Sequence, residues 1–291
     1  MLFYTQSPLQ FAFSKLGDDD ELADLDDSKK FGFIGVPFDS TSTYKPCARF
    51  GPRAVREASY NFERYNMVLE KTLDVPLFDF GDIEVIQGNF KRTCSNIQFT
   101  ISELLDKNII PIAVGGEHTI SYGVLRALDV ENTTIIHFDA HMDLRDEYMG
   151  EKYSHAAVMR RIFDLNPKDM IQIGIRSCCE DEISFAKENN ITYFMPHQVN
   201  ENLEMIKNTI RSIEGPVYVS VDMDVLDPAY APSVGTPSPC GLNPFQLESL
   251  IHCLNDKEVI GFDLVEVSST EIGDITSMNA AKAIYDFLSV Q

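Results

Sequence analysis

The chain has 291 residues, of which 44% are hydrophobic and 24% charged, a globular balance that excludes wholesale disorder and collagen-like repeats. Lys and Arg number 24 against 45 Asp and Glu, a net charge of −21. A surface this acidic repels phosphate backbones and anionic lipid and attracts metal cations and cationic small molecules, so no nucleic-acid or membrane partner is expected.

Met1 to Leu16 is apolar but broken by Gln6, Ser7, Pro8 and Gln10. It lacks the basic start and continuous apolar stretch of a signal peptide, and a cytoplasmic location is expected. Residues 17–30 form an acidic run, and residues 1–30 are read as an N-terminal extension to one domain over 31–291. No run of eighteen apolar residues offers a transmembrane helix. From Phe31 onward, short β-rich apolar runs alternate with helical segments. Strands are predicted at Gly32–Val36, Leu77–Phe80, Ile109–Val114, Thr134–Phe138, Met170–Ile175, Thr192–Met195, Pro216–Val221 and Val259–Leu264. Helices are predicted at Gly51–Ser59, Asn96–Lys107, Glu180–Asn189, Leu203–Ile213, Pro244–Leu254 and Met278–Leu288. This alternation implies an α/β fold with a parallel sheet covered by helices on both faces. Six cysteines without a C-x-x-C pair read as reduced thiols, not as a disulfide scaffold or a thiolate zinc site.

Ligands of open parallel sheets bind beyond the carboxyl ends of the strands, and the polar clusters fall there. Gly115-Gly116-Glu117-His118, Asp139-Ala140-His141-Met142-Asp143, Asp222-Met223-Asp224 and Glu266 each follow a predicted strand. His118, Asp139, His141, Asp143, Asp222 and Asp224 make four carboxylates and two imidazoles with no thiolate, a donor set suited to Mn²⁺ and, after it, to Fe²⁺, Co²⁺ or Mg²⁺. Six side chains are too many for one ion that also holds water and substrate. They suit two carboxylate-bridged ions roughly 3.5–4 Å apart. Two divalent cations, four aspartates and a bridging hydroxide leave about one negative charge, which favours a guanidinium over a phosphate ester. A lone Asp-x-Asp, or a single His after a strand, is more often structural than a ligand. Three such clusters at strand ends favour a metal centre. The calcium-loop reading of Asp222-x-Asp224 fails at Ser233, where a bidentate Glu is needed.

From about Phe31 to Phe287 these motifs resemble the ureohydrolases of the arginase/agmatinase superfamily, the third motif extending over Ser220–Pro228. The resemblance implies an arginase-like three-layer α/β/α sandwich with a mostly parallel central sheet, assembled as a homo-oligomer, trimer or hexamer. It implies two Mn²⁺ per chain, one held by His118, Asp139, Asp143 and Asp222, the other by Asp139, His141, Asp222 and Asp224. It implies further that a hydroxide between the ions, oriented by Asp143, attacks the guanidinium carbon. His155, in Ser154-His155, would protonate the leaving amine, and Glu266, in Val265-Glu266-Val267, would pair with the guanidinium. His137, His197 and His252 are left as structural, although His137 shares a strand face with Asp139 and is open to a supporting role.

The span 144–154 carries Asp146, Glu147 and Glu151 and no Asn, an acidic rim that disfavours a carboxylate-bearing substrate. Arg145 and Lys152 argue the other way. Residues 44–53, residues 229–232 and Tyr153-Ser154-His155 resemble agmatinases more than arginases. Cys47 stands where those sequences usually have Gly, and Ser233-Val234-Gly235-Thr236 departs from a more glycine-rich turn. The expected reaction is hydrolysis of a small cationic guanidino substrate, agmatine, to putrescine and urea. Arginase, guanidinobutyrase and formimidoylglutamase are the near alternatives; a metal-dependent deacetylase and a non-catalytic metal-binding paralogue are the remote ones.

Overall fold

The computed structural model describes residues 9–17 and 29–291, so most of the acidic run lies outside the described residues. The main-sheet strands are β1 (Lys15–Leu16), β2 (Lys30–Val36), β5 (Leu77–Asp82), β6 (Ile109–Gly115), β7 (Thr134–Phe138), β8 (Asp169–Ile173), β9 (Thr192–Phe194), β10 (Pro216–Asp222) and β11 (Glu258–Val265). They run in the order β1-β5-β2-β6-β11-β10-β7-β8-β9. Every neighbouring pair is parallel. Two further strands, β3 (Tyr65–Asn66) and β4 (Lys71–Thr72), make a small antiparallel pair.

Central strands of a parallel sheet are covered on both faces, which is why their sequences are continuously apolar. Alternate residues of one strand serve different cores. Phe33, Ile112, Val114, Val217, Val219, Phe262 and Leu264 pack into one cluster, while Ile34, Val36, Ala113 and Tyr218 pack into another. Helices α1 (Gly51–Ser59), α6 (Pro196–Glu201), α7 (Leu203–Arg211), α8 (Pro244–Ile251) and α9 (Ile275–Ser289) cover the first face through side chains such as Val55, Val199, Ile206, Leu250 and Ile284. Helices α2 (Phe90–Asp106), α3 (Ile120–Leu125), α4 (Val158–Phe163) and α5 (Glu180–Glu188) cover the second through Ile97, Val124, Ile162 and Ala186. The layers are therefore α/β/α, as the periodicity and the resemblance implied.

Several boundaries differ from the sequence reading. Helix α2 begins at Phe90 rather than Asn96, because the Asn89 side chain caps it by accepting from the Arg92 N–H. Helix α9 begins at Ile275 rather than Met278, capped by Asp274 on the Ser277 N–H. The short helices α3, α4 and α6 escaped the sequence reading because six residues are too few to show a periodic stripe.

The topology decides where the chemistry sits. Strands β6, β11, β10 and β7 are consecutive in the sheet, with Val114 beside Leu264, Val265 beside Asp222, and Val221 beside Phe138. Their carboxyl ends therefore lie in one row, and the four polar clusters leave the sheet side by side.

Candidate metal centre

His118 is 1% exposed, and its Nδ1 lies 3.2 Å from Asp139 Oδ2, 3.3 Å from Asp143 Oδ2 and 3.4 Å from Asp222 Oδ2. None of these contacts is a hydrogen bond, so a buried nitrogen faces three carboxylates without a partner. The other side of the ring explains why. Asp263, buried in the middle of β11, accepts from Ser220 Oγ at 2.7 Å, and Ser220 Oγ lies 2.9 Å from His118 Nε2. Ser220 has spent its proton on Asp263, so it accepts from His118 Nε2–H. That leaves Nδ1 as a lone pair aimed at the carboxylates, the tautomer a metal ligand requires.

His141 Nδ1 lies 3.0 Å from Asp224 Oδ2 and 3.3 Å from Asp139 Oδ1. Asp139 thus turns one oxygen toward the His118 group and the other toward the His141 group. Asp222 Oδ1 accepts the Asp224 N–H at 2.8 Å, and its Oδ2 faces His118, so its contacts join it to the first group. Asp224 is steadied by the Ala140 N–H at 3.0 Å. All six candidate ligands predicted from the sequence are brought together.

Without a cation this cluster is frustrated. Burial, then Asp139, pushes the Asp143 carboxyl up to about 6. Burial, then Asp224 and Asp139, pushes Asp222 well up. Burial would lower His141, yet Asp224 and Asp139 outweigh it and raise the imidazole to about 12. Burial would raise Asp139, but His137, His118 and His141 outweigh it and hold it well down; carboxyls that hold protons as tightly as Asp143 and Asp222 mark a site lacking positive charge. The unpartnered His118 Nδ1 and the oxygen-rich donors therefore fit a divalent metal.

The cluster opens into a cavity of about 210 Å³ lined by His155, Glu266, Arg145, Tyr148, Cys178 and Glu182 among others. Glu266 lies just past β11 in the left-handed region (φ 66°), and its Oε1 accepts the His118 N–H at 2.8 Å. Burial, then Glu117, raises its carboxyl to about 8. His155 packs edge-on against Tyr148, and burial, then His141 and His118, lowers its imidazole to about 4.

The acidic rim read from residues 144–154 needs correction. From that span Arg145 and Tyr148 line the cavity, while Asp146 turns away to pair with Arg161 at 2.8 Å. The acid that lines the cavity beside Arg145 is the buried Glu182, whose oxygens accept the Leu144 and Cys179 N–H groups and whose Oε2 lies 3.5 Å from Arg145 Nε. Arg145 also stacks 4.8 Å from the centre of the Tyr148 ring.

His137 has the supporting role left open for it. Gln172 Nε2 donates to its Nδ1 at 2.9 Å, so its Nε2–H donates to Asp139 at 2.8 Å. His252 lies near Glu248 and Asp286, but Lys282 bridges those two acids and supplies the positive charge there. All six cysteines are free. The sequence reading gave no role to Thr41, Glu117, Gln172, Glu182 or Asp263. The signal available was a polar side chain inside an apolar run, as in Phe262-Asp263-Leu264, because a buried carboxylate requires partners.

A model of the family described as Arginase family matches residues 29–289. An uncharacterized 32.2 kDa protein of Methanothermus fervidus is 53% identical, over 96% of this chain and 98% of its own. An N(1)-aminopropylagmatine ureohydrolase of Thermococcus kodakarensis is 39% identical over 88% of each chain. Among solved structures, an agmatine ureohydrolase of Thermoplasma volcanium has a TM-score of 0.84 and 34% identity, covering 98% of this chain and 94% of its own.

Proposed function

Because the chain belongs to the arginase family of hydrolytic enzymes, we propose that it cleaves the guanidino group of agmatine to putrescine and urea, using two divalent cations, Mn²⁺ foremost. The observation that carries this reading is the cluster of four buried carboxylates with buried His118 and half-buried His141, opening into a cavity walled by His155 and Glu266. A cation pair held by His118, Asp139, His141, Asp143, Asp222 and Asp224 would supply an ionised water at neutral pH. The chain's own side chains do the rest. The Glu266 carboxyl, raised by burial, regains its charge when a guanidinium docks against it, so the cavity selects a planar cation. His155, on the wall of the same cavity, is placed to deliver a proton to the leaving amine, a role typically worth about 10²–10⁴-fold.

The tail preference rests on the cavity's charge. With Asp143 and Asp222 given to the metal pair and Glu266 to the guanidinium, the tail meets Glu182 and a single guanidinium, Arg145, which Glu182 and Tyr148 already engage. A carboxylate tail would have to displace Glu182 from Arg145, whereas an amine tail can approach Glu182 without meeting a second carboxylate's competition for that guanidinium. The names of the Thermococcus and Thermoplasma relatives support the same choice. A second reading, hydrolysis of a guanidino acid, is favoured by the one observation that Arg145 lines the cavity. Homo-oligomeric assembly and a cytoplasmic location belong to the proposed reading; among the described residues no helix is long and apolar enough to cross a membrane.

The test is urea release by Mn²⁺-loaded protein from agmatine, arginine and guanidinobutyrate, with formiminoglutamate assayed for formamide. Preference for agmatine supports the reading. Preference for an acid, abolished by Arg145→Ala, would replace it with the second one.

A further inference from the structure

His155 depends on a residue 114 positions away. The Thr41 hydroxyl lies 3.1 Å from His155 Nδ1, accepts the His155 backbone N–H at 3.0 Å, and lies 2.8 Å from Glu117 Oε1. Glu117 is fully buried, and its carboxylate also collects the Thr41 N–H at 2.6 Å, the Ser42 N–H at 3.1 Å and the Thr119 hydroxyl at 2.7 Å.

One hydroxyl has one proton, and two acceptors compete for it. A hydrogen bond to a carboxylate is roughly twice as strong as one between neutral groups, so the Thr41 proton goes to Glu117. The Thr41 oxygen then offers its lone pairs to the His155 backbone N–H and to His155 Nδ1–H. We propose that Thr41, anchored by Glu117, is a positioning residue that holds His155 in the Nδ1–H tautomer and leaves Nε2 as the nitrogen that exchanges protons in the cavity. The chain Glu117–Thr41–His155 thus orients the imidazole as a carboxylate does in a triad, with a hydroxyl interposed. The catalytic consequence rests on the proposed ureohydrolase reading, while the tautomer itself does not.

The experiment uses ¹⁵N-histidine-labelled, Mg²⁺-loaded protein and reads which nitrogen of His155 carries the proton. Nδ1–H in the wild type and in Thr41→Ser, with loss of that preference in Thr41→Val, is the expected result. Kinetics on the same set with Mn²⁺ should show Thr41→Ser within about threefold of wild type and Thr41→Val about 10–100-fold down in kcat, part of the general-acid contribution, with KM and metal content held. A wild-type His155 protonated at Nε2, or a Thr41→Val protein that keeps Nδ1–H or full kcat, overturns the assignment. Wild-type protein that carries Nδ1–H but turns over no guanidino substrate refutes the ureohydrolase reading and leaves the tautomer assignment standing.

Discussion

Gly235 sets the position of the group proposed to hold the guanidinium. A Cβ built there would lie 2.7 Å from Glu266 Oε2, inside the 3.0 Å that real Cβ contacts essentially never breach. The loop carrying Gly235 has little freedom to retreat. Ser233 is bonded to Thr276 and Asp274, its carbonyl accepts the Ser268 N–H, and the Gly235 carbonyl accepts the Lys45 N–H. Glu266 must yield instead, by several tenths of an ångström, and its other oxygen is tied to the His118 N–H at 2.8 Å. In Gly235→Ala the charge-assisted contact to substrate is therefore misplaced. Such a contact is worth about 1.5–3 kcal/mol, which converts to a loss of about ten- to hundredfold in kcat/KM. Steady-state kinetics with metal analysis checks this, the metal content being expected to stay at the wild-type level. A kcat/KM within about twofold of wild type would show that the Glu266 position is not what the cavity reads.

Asp139→Asn, which removes charge from the carboxylate shared by both imidazole groups, should lose at least one bound metal ion and nearly all turnover; full metal content by elemental analysis would break the cluster reading. His155→Asn should keep its metal while kcat falls about 10²–10⁴-fold, and collapse of metal content instead would make His155 a ligand. Removal of metal should make stability depend on pH. Glu266 (about 8) and His141 (about 12) both hold protons more tightly in the fold than in the unfolded chain, so their contribution is full at low pH and is lost as pH rises through the folded values. His155 acts oppositely, but its loss falls below pH 6.5, as pH drops toward about 4. Tm of the chelator-treated protein should accordingly fall between about pH 6.5 and 9, and Mn²⁺ should flatten that slope; parallel curves with and without metal would contradict it.

The amino-acid order by itself determined a great deal here. Continuous apolar runs separated by helical stretches require parallel strands with both faces covered, and acids or imidazoles just after such runs must emerge at one edge. The six candidate ligands and Glu266 were legible for that reason, because strand period and position in the run are local properties. The tertiary structure decided how those groups are held and what the cavity shows. Gln172 fixes the tautomer of His137, Ser220 and Asp263 fix that of His118, and Thr41 reaches His155 across 114 residues. It also turned Asp146 outward and put Arg145 and the buried Glu182 side by side in the cavity wall, reversing the simple reading of an acidic rim. A buried polar group takes whichever partner packing brings within about 3 Å, and no local pattern encodes that partner when the two segments meet only through the sheet.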